Sequence, residues 1–521
     1  MTVHLDSRRQ GHGILACLAL TLLSIALLPI SISQVTLALI RQRRLSSGPK
    51  LSQAQKSRIE HGRPTGVALV SGGRMQKSLF VVRALAARGY RVILVEERGW
   101  GELCATRFSN AVDEFVLVPS GGGQDYIQAL ASLALRKKVT LFVPVSGAGT
   151  TVQDAQAAQL MREKSKGTIE TLIQDPDLAE TLHEKDRFID LAHELQLEAP
   201  QSRILRDANS ALAFLRENHD PAGSGFLLKA ATMLDDIGRA DMTTYPLRDP
   251  STGDIDWNRT ERRVRRELAI PISPNTPYAA QEFIGGEGAS EWCTHATVID
   301  GNLRAFVCCP SNDMLMTYHD ATHSPVGQQA LTWTQTFLTR LKEHPRWGRS
   351  RLTGQFSMDF IHQPSRDRLV VIECNPRVHT AVCLFSDPAA FGAALDGSSS
   401  ALVVPSARQP AVSWHGHDLI ARVMPRILPQ SLTRHLYGYA FVQGPQKHRL
   451  HKLKGEGPTG EATQNFDLEQ IGRDGAWAPT DLAVYLAFYH VQWPALLLRQ
   501  AFIRRKAFSR INVSTARIFE C

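Results

Sequence analysis

The chain has 521 residues, 43% hydrophobic and 21% charged, enough for several domains with a substantial core. Its formal charge of +9 is modest for that length, and no Lys/Arg run interleaves with aromatics, which excludes nucleic acid as the natural partner. Eight cysteines without C-x-x-C spacing exclude a zinc ribbon and a secreted disulfide framework, and fit reduced thiols in a cytosol-facing protein.

Residues 1–12 form a short N-terminal tail. Residues 13–40 then carry no charge over 28 positions, and about 20 apolar residues suffice to cross a bilayer. Arg8 and Arg9 precede this stretch, and Arg41, Arg43, Arg44 and Lys50 follow it, so the positive bias places the C-terminal side in the cytoplasm. The expectation is an uncleaved, single-pass transmembrane anchor with the catalytic body facing the cytoplasm. A cleaved targeting peptide is the ordinary alternative. Basic residues also gather near the C-terminus, at Arg499, Arg504, Arg505, Lys506, Arg510 and Arg517, where a membrane surface suits them better than a nucleic acid.

A polar linker at 41–63 leads into an α/β domain at 64–175. Gly66-Val-Ala-Leu-Val-Ser71 reads as a strand, an apolar-periodic helix runs to Ala87, and Arg91–Glu96 is a second strand. Strands at Glu114–Val118 and Leu141–Val145 and a helix at Asp125–Arg136 continue the alternation. The loop Gly72-Gly73…Lys77-Ser78 lacks the glycine spacing of a phosphate-binding P-loop, although a helix N-terminus there offers a place for an anionic substrate.

A second domain, at 176–386, contains a helix over Leu182–Leu195 and strands at Phe226–Lys229, Tyr278–Ile284, Glu291–Val298 and Leu303–Cys309. Residues 247–276 are charged and Pro-rich and read as a surface insertion. The stretch Leu352–Arg377 then holds the chemistry. Residues 355–361 alternate, Leu369–Glu373 is β-branched, and Pro364-Ser-Arg-Asp367 makes the turn between them. A hairpin centred on Arg366 places Asp359 opposite Glu373, with Asn375 on the same face. Facing acids are destabilising unless a cation lies between them, and three hard oxygens suit Mg2+ carrying a nucleotide phosphate rather than zinc or copper. An amphipathic hairpin with solvated acids is the bland alternative. Arg377 tips the balance, because a guanidinium beside such a patch has a transferring phosphoryl group as its natural partner. Residues 387–411 read as an Ala/Gly/Ser/Pro-rich linker, and 412–521 as a helical extension whose segment Leu482–Leu498 is packed or interfacial rather than a second span.

The order of these features resembles the ATP-grasp superfamily over about residues 66–386. Within it the chain is similar to the mycosporine-glycine synthase family in Arg107–Asp113, Pro271–Pro274, Glu291–His295, Thr353–Ile361, Glu373–His379 and Gln492–Leu498. The N-terminal apolar stretch, the segment near 247–270 and the longer glycine-rich hinge before Glu291 depart from that family. The resemblance implies an ATP-grasp fold behind a Rossmann-like pre-ATP-grasp domain, an α/β and α+β architecture. It implies that Lys185 and Lys229 contact ATP phosphates, and that Gln281, with the backbone of Glu282 and Ile284, holds adenine. Glu291 would bind the ribose. Asp359, Glu373 and Asn375 would coordinate one or two Mg2+ ions, with Mn2+ as the alternative metal, and Arg377 with Lys229 would be catalytic. The implied reaction joins an amino acid amine such as glycine to a phosphate-activated cyclohexenone such as 4-deoxygadusol, releasing ADP and phosphate. The rival readings are a ligase making an ordinary amide and a membrane-tethered nucleotide-binding module. His295, His319 and His379 are candidate substrate contacts, although lone histidines are more often structural.

Overall fold

The computed structural model describes residues 14–45, 65–120, 122–145, 147–219, 225–230, 243–268, 270–286, 288–311, 317–414, 472–506, 508–512 and 517–520. The expected tail at 1–12, most of the 41–63 linker and much of the 412–521 extension lie outside them. The first described element is helix α1 (Ile14–Leu45), whose segment Cys17–Arg41 is long and apolar enough to cross a membrane by length and composition.

The α/β alternation expected next is present. Strand β1 (Val67–Ser71), helix α2 (Gln76–Ala87), β2 (Arg91–Glu97), β3 (Glu114–Val118), α3 (Gln124–Arg136), β4 (Leu141–Pro144), α4 (Thr151–Lys164) and β5 (Glu170–Thr171) follow in turn. They form a parallel sheet of order β3-β2-β1-β4-β5. Its central strands are buried on both faces, as near-continuous apolar runs such as Val92–Val95 require.

Two antiparallel sheets follow. Helices α5 (Pro176–His183) and α6 (Lys185–Glu194) replace the single helix expected from Leu182, because Glu184 adopts an extended conformation between them. Strand β6 (Ser202–Leu205), helix α7 (Ala208–Asn218), β7 (Phe226–Ala230), β8 (Thr244–Tyr245), helix α8 (Trp257–Arg262) and β9 (Tyr278–Glu282) build a sheet of order β6-β9-β7-β8. The supposed insertion belongs to this unit. α8 and the π-turn Arg263–Glu267 put Thr260 and Val264 into the core, where Thr260 Oγ1 accepts the Leu247 N–H at 2.8 Å and Arg263 Nε donates to Tyr245 Oη at 2.8 Å.

The second sheet, order β11-β10-β12-β13, comprises β10 (Ser290–Ile299), β11 (Asn302–Pro310), β12 (Gly354–Gln363) and β13 (Arg368–Asn375), with helix α9 (Pro325–Glu343) between β11 and β12. One face, carrying Trp292, Ala296, Phe306, Phe356, Met358 and Phe360, packs with Trp333 and Phe337 of α9. The mixed α/β class, with a parallel first sheet and antiparallel sheets after it, is therefore as expected.

Residues 387–411 are not a bare linker. Helix α10 (Pro388–Leu395) starts on Asp387, whose Oδ1 accepts the Ala389 and Ala390 N–H groups, and lies on α2. Phe391 stacks on Phe385 with centroids 4.5 Å apart. Beyond it, β14 (Val412–Ser413) pairs in parallel with β15 (Arg473–Asp474). A continuous helix follows, made of α11 (Leu482–Ala487), the π-turn Phe488–Gln492, α12 (Trp493–Arg499) and the π-turn Gln500–Arg504. It is packed, as expected, with Phe488, Trp493 and Leu497 in the core shared with α2. Truncating Phe391, which is 1% exposed, costs about 3–5 kcal/mol if the segment is structural. A lowered thermal midpoint for Phe391→Ala is the expected result, whereas an ordinary linker would leave it unmoved.

Candidate functional site

The hairpin β12–β13 brings the expected residues together. Asp359 lies opposite Glu373 and Ser357 opposite Asn375 in the ladder. The turn itself pairs Gln363 with Arg368 around a short helical turn, and Asp367 closes it in the left-handed region at φ 47°, a conformation Asp tolerates. From there Phe360 faces Val371, so a plain ladder would set Asp359 against Ile372. A bulge between Asp359 and Phe360 absorbs one residue and restores Glu373 to that position.

The acids are compensated from several sides. Asn375 Nδ2 lies 3.1 Å from Glu373 Oε1 and 3.4 Å from Asp359 Oδ2. Lys185 Nζ, from the first residue of α6, is 3.9 Å from Glu373 Oε2. Asn375 Oδ1 accepts Arg377 Nη2, and Arg377 Nη1 lies 3.2 Å from His183 Nδ1. Desolvation, and then the charge of Glu373, push the Asp359 carboxyl well above the usual range. Desolvation would raise Glu373 too, but Lys185, hydrogen bonds from Asp359 and Asn375, and Arg377 outweigh it and hold that carboxyl at about 2. The two shifts favour the proton on Asp359 and the charge on Glu373.

A cation fits this donor set. Asp359 Oδ1 is buried without a hydrogen-bond partner among the described residues, a cost that a metal contact would remove. Asn375 differs from expectation in orientation, since its amide nitrogen faces the acids. To ligate, its side chain must turn so that the oxygen leaves Arg377.

The loop carrying Arg377 is braced by side chains from three elements. Ser357 Oγ donates to the Arg377 carbonyl at 2.7 Å, and Lys77 Nζ of α2 to the Val378 carbonyl at 2.5 Å. The His379 N–H donates to His295 Nδ1 of β10 at 3.3 Å. Accepting there leaves the proton of neutral His295 on Nε2, 3.3 Å from Thr297 Oγ1. His379 Nδ1 in turn accepts the Ala381 N–H at 3.1 Å, so its Nε2 carries the proton. Burial, aided by Lys77 and Arg377, lowers His379 to about 3; burial, His379 and Lys77 push His295 well below the ordinary value. Both rings are neutral. A His379 nitrogen, an Asp359 oxygen and Cys293 Sγ lie within 4.8 Å of one another. A hydrogen bond with Cys309 and burial push the Cys293 thiol well up.

Of the expected nucleotide residues, Lys229, Gln281 and Glu282 lie on the other antiparallel sheet and Ile284 just past it, whereas Lys185 is on α6 and Glu291 on β10. Phe226, Leu228, Tyr278 and Ala280 pack on α7, so Lys229 and Gln281, at alternate positions of β7 and β9, take the opposite face. Glu282 is engaged at the sheet edge. Its N–H donates to the Gln201 carbonyl at 2.8 Å, and its carboxylate accepts the Gln201 N–H at 3.1 Å and Arg368 Nη1 at 3.4 Å. Ile284 is buried. In the hinge that follows, Gly286 and Gly288 have φ of 115° and 75°, where a side chain would be strained. Gln363 Nε2 donates to the Gly285 carbonyl at 2.6 Å, tying the hinge to the hairpin. Glu291 accepts Ser311 Oγ at 3.0 Å and shares the sheet face of Cys293 and Asp359.

At the start of α2, buried Glu96 accepts the Arg74 N–H at 2.7 Å, so a carboxylate of the chain itself lies beside that helix end. Lys77 of the same loop was not expected at the hairpin, and no local pattern marks it. Nor was His183 expected. Ser357 could have been found, since it precedes Asp359 by one strand period.

No family model and no curated protein matches the chain. Similar solved structures include the biotin carboxylase domain of Hydrogenobacter thermophilus 2-oxoglutarate carboxylase in complex with MgADP, ADP and bicarbonate, at TM-score 0.44 and 15% identity, covering 65% of this chain and 71% of that one. N5-carboxyaminoimidazole synthetase from Staphylococcus aureus gives 0.44 and 14%, covering 64% of this chain and 78% of that one. Scores and identities at this level add nothing beyond the geometry already given.

The proton on Asp359 yields a direct test. A divalent cation must displace it, so affinity for Mn2+ should rise with pH until Asp359 ionises unaided, with a proton released per ion bound below that point. Calorimetric titration in buffers of different ionisation enthalpy measures the release. Asp359→Asn should abolish both binding and release.

Proposed function

We propose that the chain is an ATP-dependent ligase of the ATP-grasp type. The observation that carries the proposal is the convergence of Asp359, Glu373, Asn375, Lys185 and Arg377 on one patch, with Asp359 Oδ1 buried and, among the described residues, unpaired. Asp359 and Glu373, and Asn375 once turned, would hold Mg2+, which when bound neutralises phosphate charge. Lys185 stands beside the acids, where it would meet the terminal phosphates, and Lys229 would meet them from the facing β7. Gln281 and the backbone near Ile284 would receive adenine, with Glu291 at the ribose.

Arg377 would stabilise the phosphoryl group in transfer, a role supported by a loop held at three backbone positions and a guanidinium that borders the acids. The acceptor oxygen would take the γ-phosphoryl group. An amine would then add at the carbon bearing that oxygen, and phosphate would leave as the C–N bond forms. Neutral His379, with a proton on Nε2, would donate a hydrogen bond to an acceptor oxygen near Asp359. Motif likeness supports a cyclohexenone such as 4-deoxygadusol as acceptor and glycine as amine. An ordinary amide between a carboxylate and an amine uses the same residues.

Purified full-length protein should release ADP from ATP and a cyclohexenone only when an amine is supplied. Release with a carboxylate donor instead assigns the amide reaction, and release that ignores every amine sinks the ligase reading. Glu373→Ala should abolish turnover. Arg377→Ala should lower kcat about a thousandfold with ATP binding little changed, measured by single-turnover kinetics against nucleotide titration.

A further inference from the structure

Helix α1 is built inside out. The stripe it turns toward the protein contains Cys17, Thr21 and Ser31, all buried, together with half-buried Leu20, Ser24, Leu28 and Val35, so hydroxyls are mixed into its inner side. Its solvent side exposes Leu22, Ile25, Ile30, Ile32, Leu37, Leu39 and Ile40. A helix on the surface of a water-soluble body has the reverse pattern. Two hydroxyls on the outer side are also silenced, Ser33 donating to the Pro29 carbonyl and Thr36 to the Ile32 carbonyl, each at 2.8 Å.

The partner of the buried stripe is the C-terminal helix, running antiparallel to α1. Ser24 Oγ donates to the Tyr489 carbonyl at 2.5 Å, His490 Nε2 lies 2.8 Å from Ser31 Oγ, and Tyr485 Oη reaches Gln34 at 3.4 Å. That helix exposes Val491, Leu498, Phe502 and Ile503. Among the described residues, every exposed large hydrophobic side chain except Phe108 lies on these two helices. Such a concentration marks an interaction face. Arg41 at one end of α1, and Arg504, Arg505 and Lys506 at the end of the C-terminal helix, are exposed beside it.

The docked stripe decides how a bilayer meets this face. From Cys17 to Val35 it runs roughly 27 Å at 1.5 Å per residue, most of a hydrocarbon core of about 30 Å. Lipid cannot surround a helix whose flank is covered by protein over that length. The C-terminal helix is itself fastened to charged groups. Tyr489 Oη donates to Asp474 at 2.7 Å, and Asp481, just before the helix, pairs with Arg83 at 2.9 Å. A crossing would draw these into hydrocarbon.

We infer that α1 does not cross the membrane but lies in its plane, forming with the C-terminal helix a monotopic attachment face for an anionic lipid surface. The apolar side chains enter one leaflet, and the basic rim meets the headgroups. This replaces the single-pass topology that composition alone suggests, and it holds whether or not the ligase reading does.

The test adds full-length protein carrying an N-terminal epitope to sealed vesicles of phosphatidylcholine, with and without phosphatidylglycerol. Flotation with the anionic vesicles, and complete removal of the epitope by external protease without detergent, are expected. Arg504→Gln, Arg505→Gln and Lys506→Gln together should weaken partitioning on the order of a hundredfold, at about 1 kcal/mol per charge. An epitope cut only after detergent restores the crossing and overturns the inference. So does failure to float with either vesicle, including the case of a stable dimer that gives the face to a second copy.

Discussion

Two carboxylates held opposite each other on a β-ladder repel, and the site is arranged around the means of bearing that repulsion. Without a cation the means are a proton on Asp359, the ammonium of Lys185 and the amide nitrogen of Asn375. The same groups change partners when a cation arrives. If Asn375 turns its oxygen to the metal, Arg377 Nη2 loses its acceptor. On the proposed reading, a cation drawing in the Asn375 oxygen would free the arginine by one rotation of one side chain.

Arg377 can be released without being lost because its backbone does not depend on its side chain. Ser357, Lys77 and His295 hold consecutive residues of the loop from β12, α2 and β10. Each bracing side chain is buried, so the contacts form in a low-dielectric setting where hydrogen bonds are strong and an unpaired partner is costly. Keeping both histidines neutral matters for the same reason. A charged imidazole at either position would add to Lys77 and Arg377, whereas a neutral one supplies a donor or an acceptor at no electrostatic cost. The first domain, through Lys77, thus helps to hold the loop that carries Arg377.

Much of this was legible in the sequence, though not always for the right reason. Counting outward from Arg366 pairs Asp359 with Glu373, as the structure does, yet the true turn would have paired Asp359 with Ile372. The bulge at that point corrects the register, and no local signal announces a bulge. The strands of the parallel sheet were readable because apolar runs broken by glycine admit few other structures. Residues 247–276 and 387–411 were misjudged because their composition is that of exposed chain. A few positions, Val264 in one and Phe391 and Leu395 in the other, bind those segments to the core, and only tertiary packing reveals which. Lys77 was hidden for a related reason, since its partner lies 301 residues away.

Composition marks α1 as long and apolar enough to cross a membrane. Length and apolarity say that α1 prefers lipid to water, but they say nothing about what covers its flank. Ser24, Ser31 and Thr21, scattered through an apolar run, look like tolerated impurities until their spacing places them on one stripe facing His490 and Tyr489. The same C-terminal helix reaches the first domain, where Gln492 Oε1 accepts the Ala105 N–H at 2.8 Å and its Nε2 donates to the Arg74 carbonyl at 3.0 Å. Arg74 begins the loop that leads to Lys77. A helix joined to the first domain by such contacts is part of the folded body of the protein.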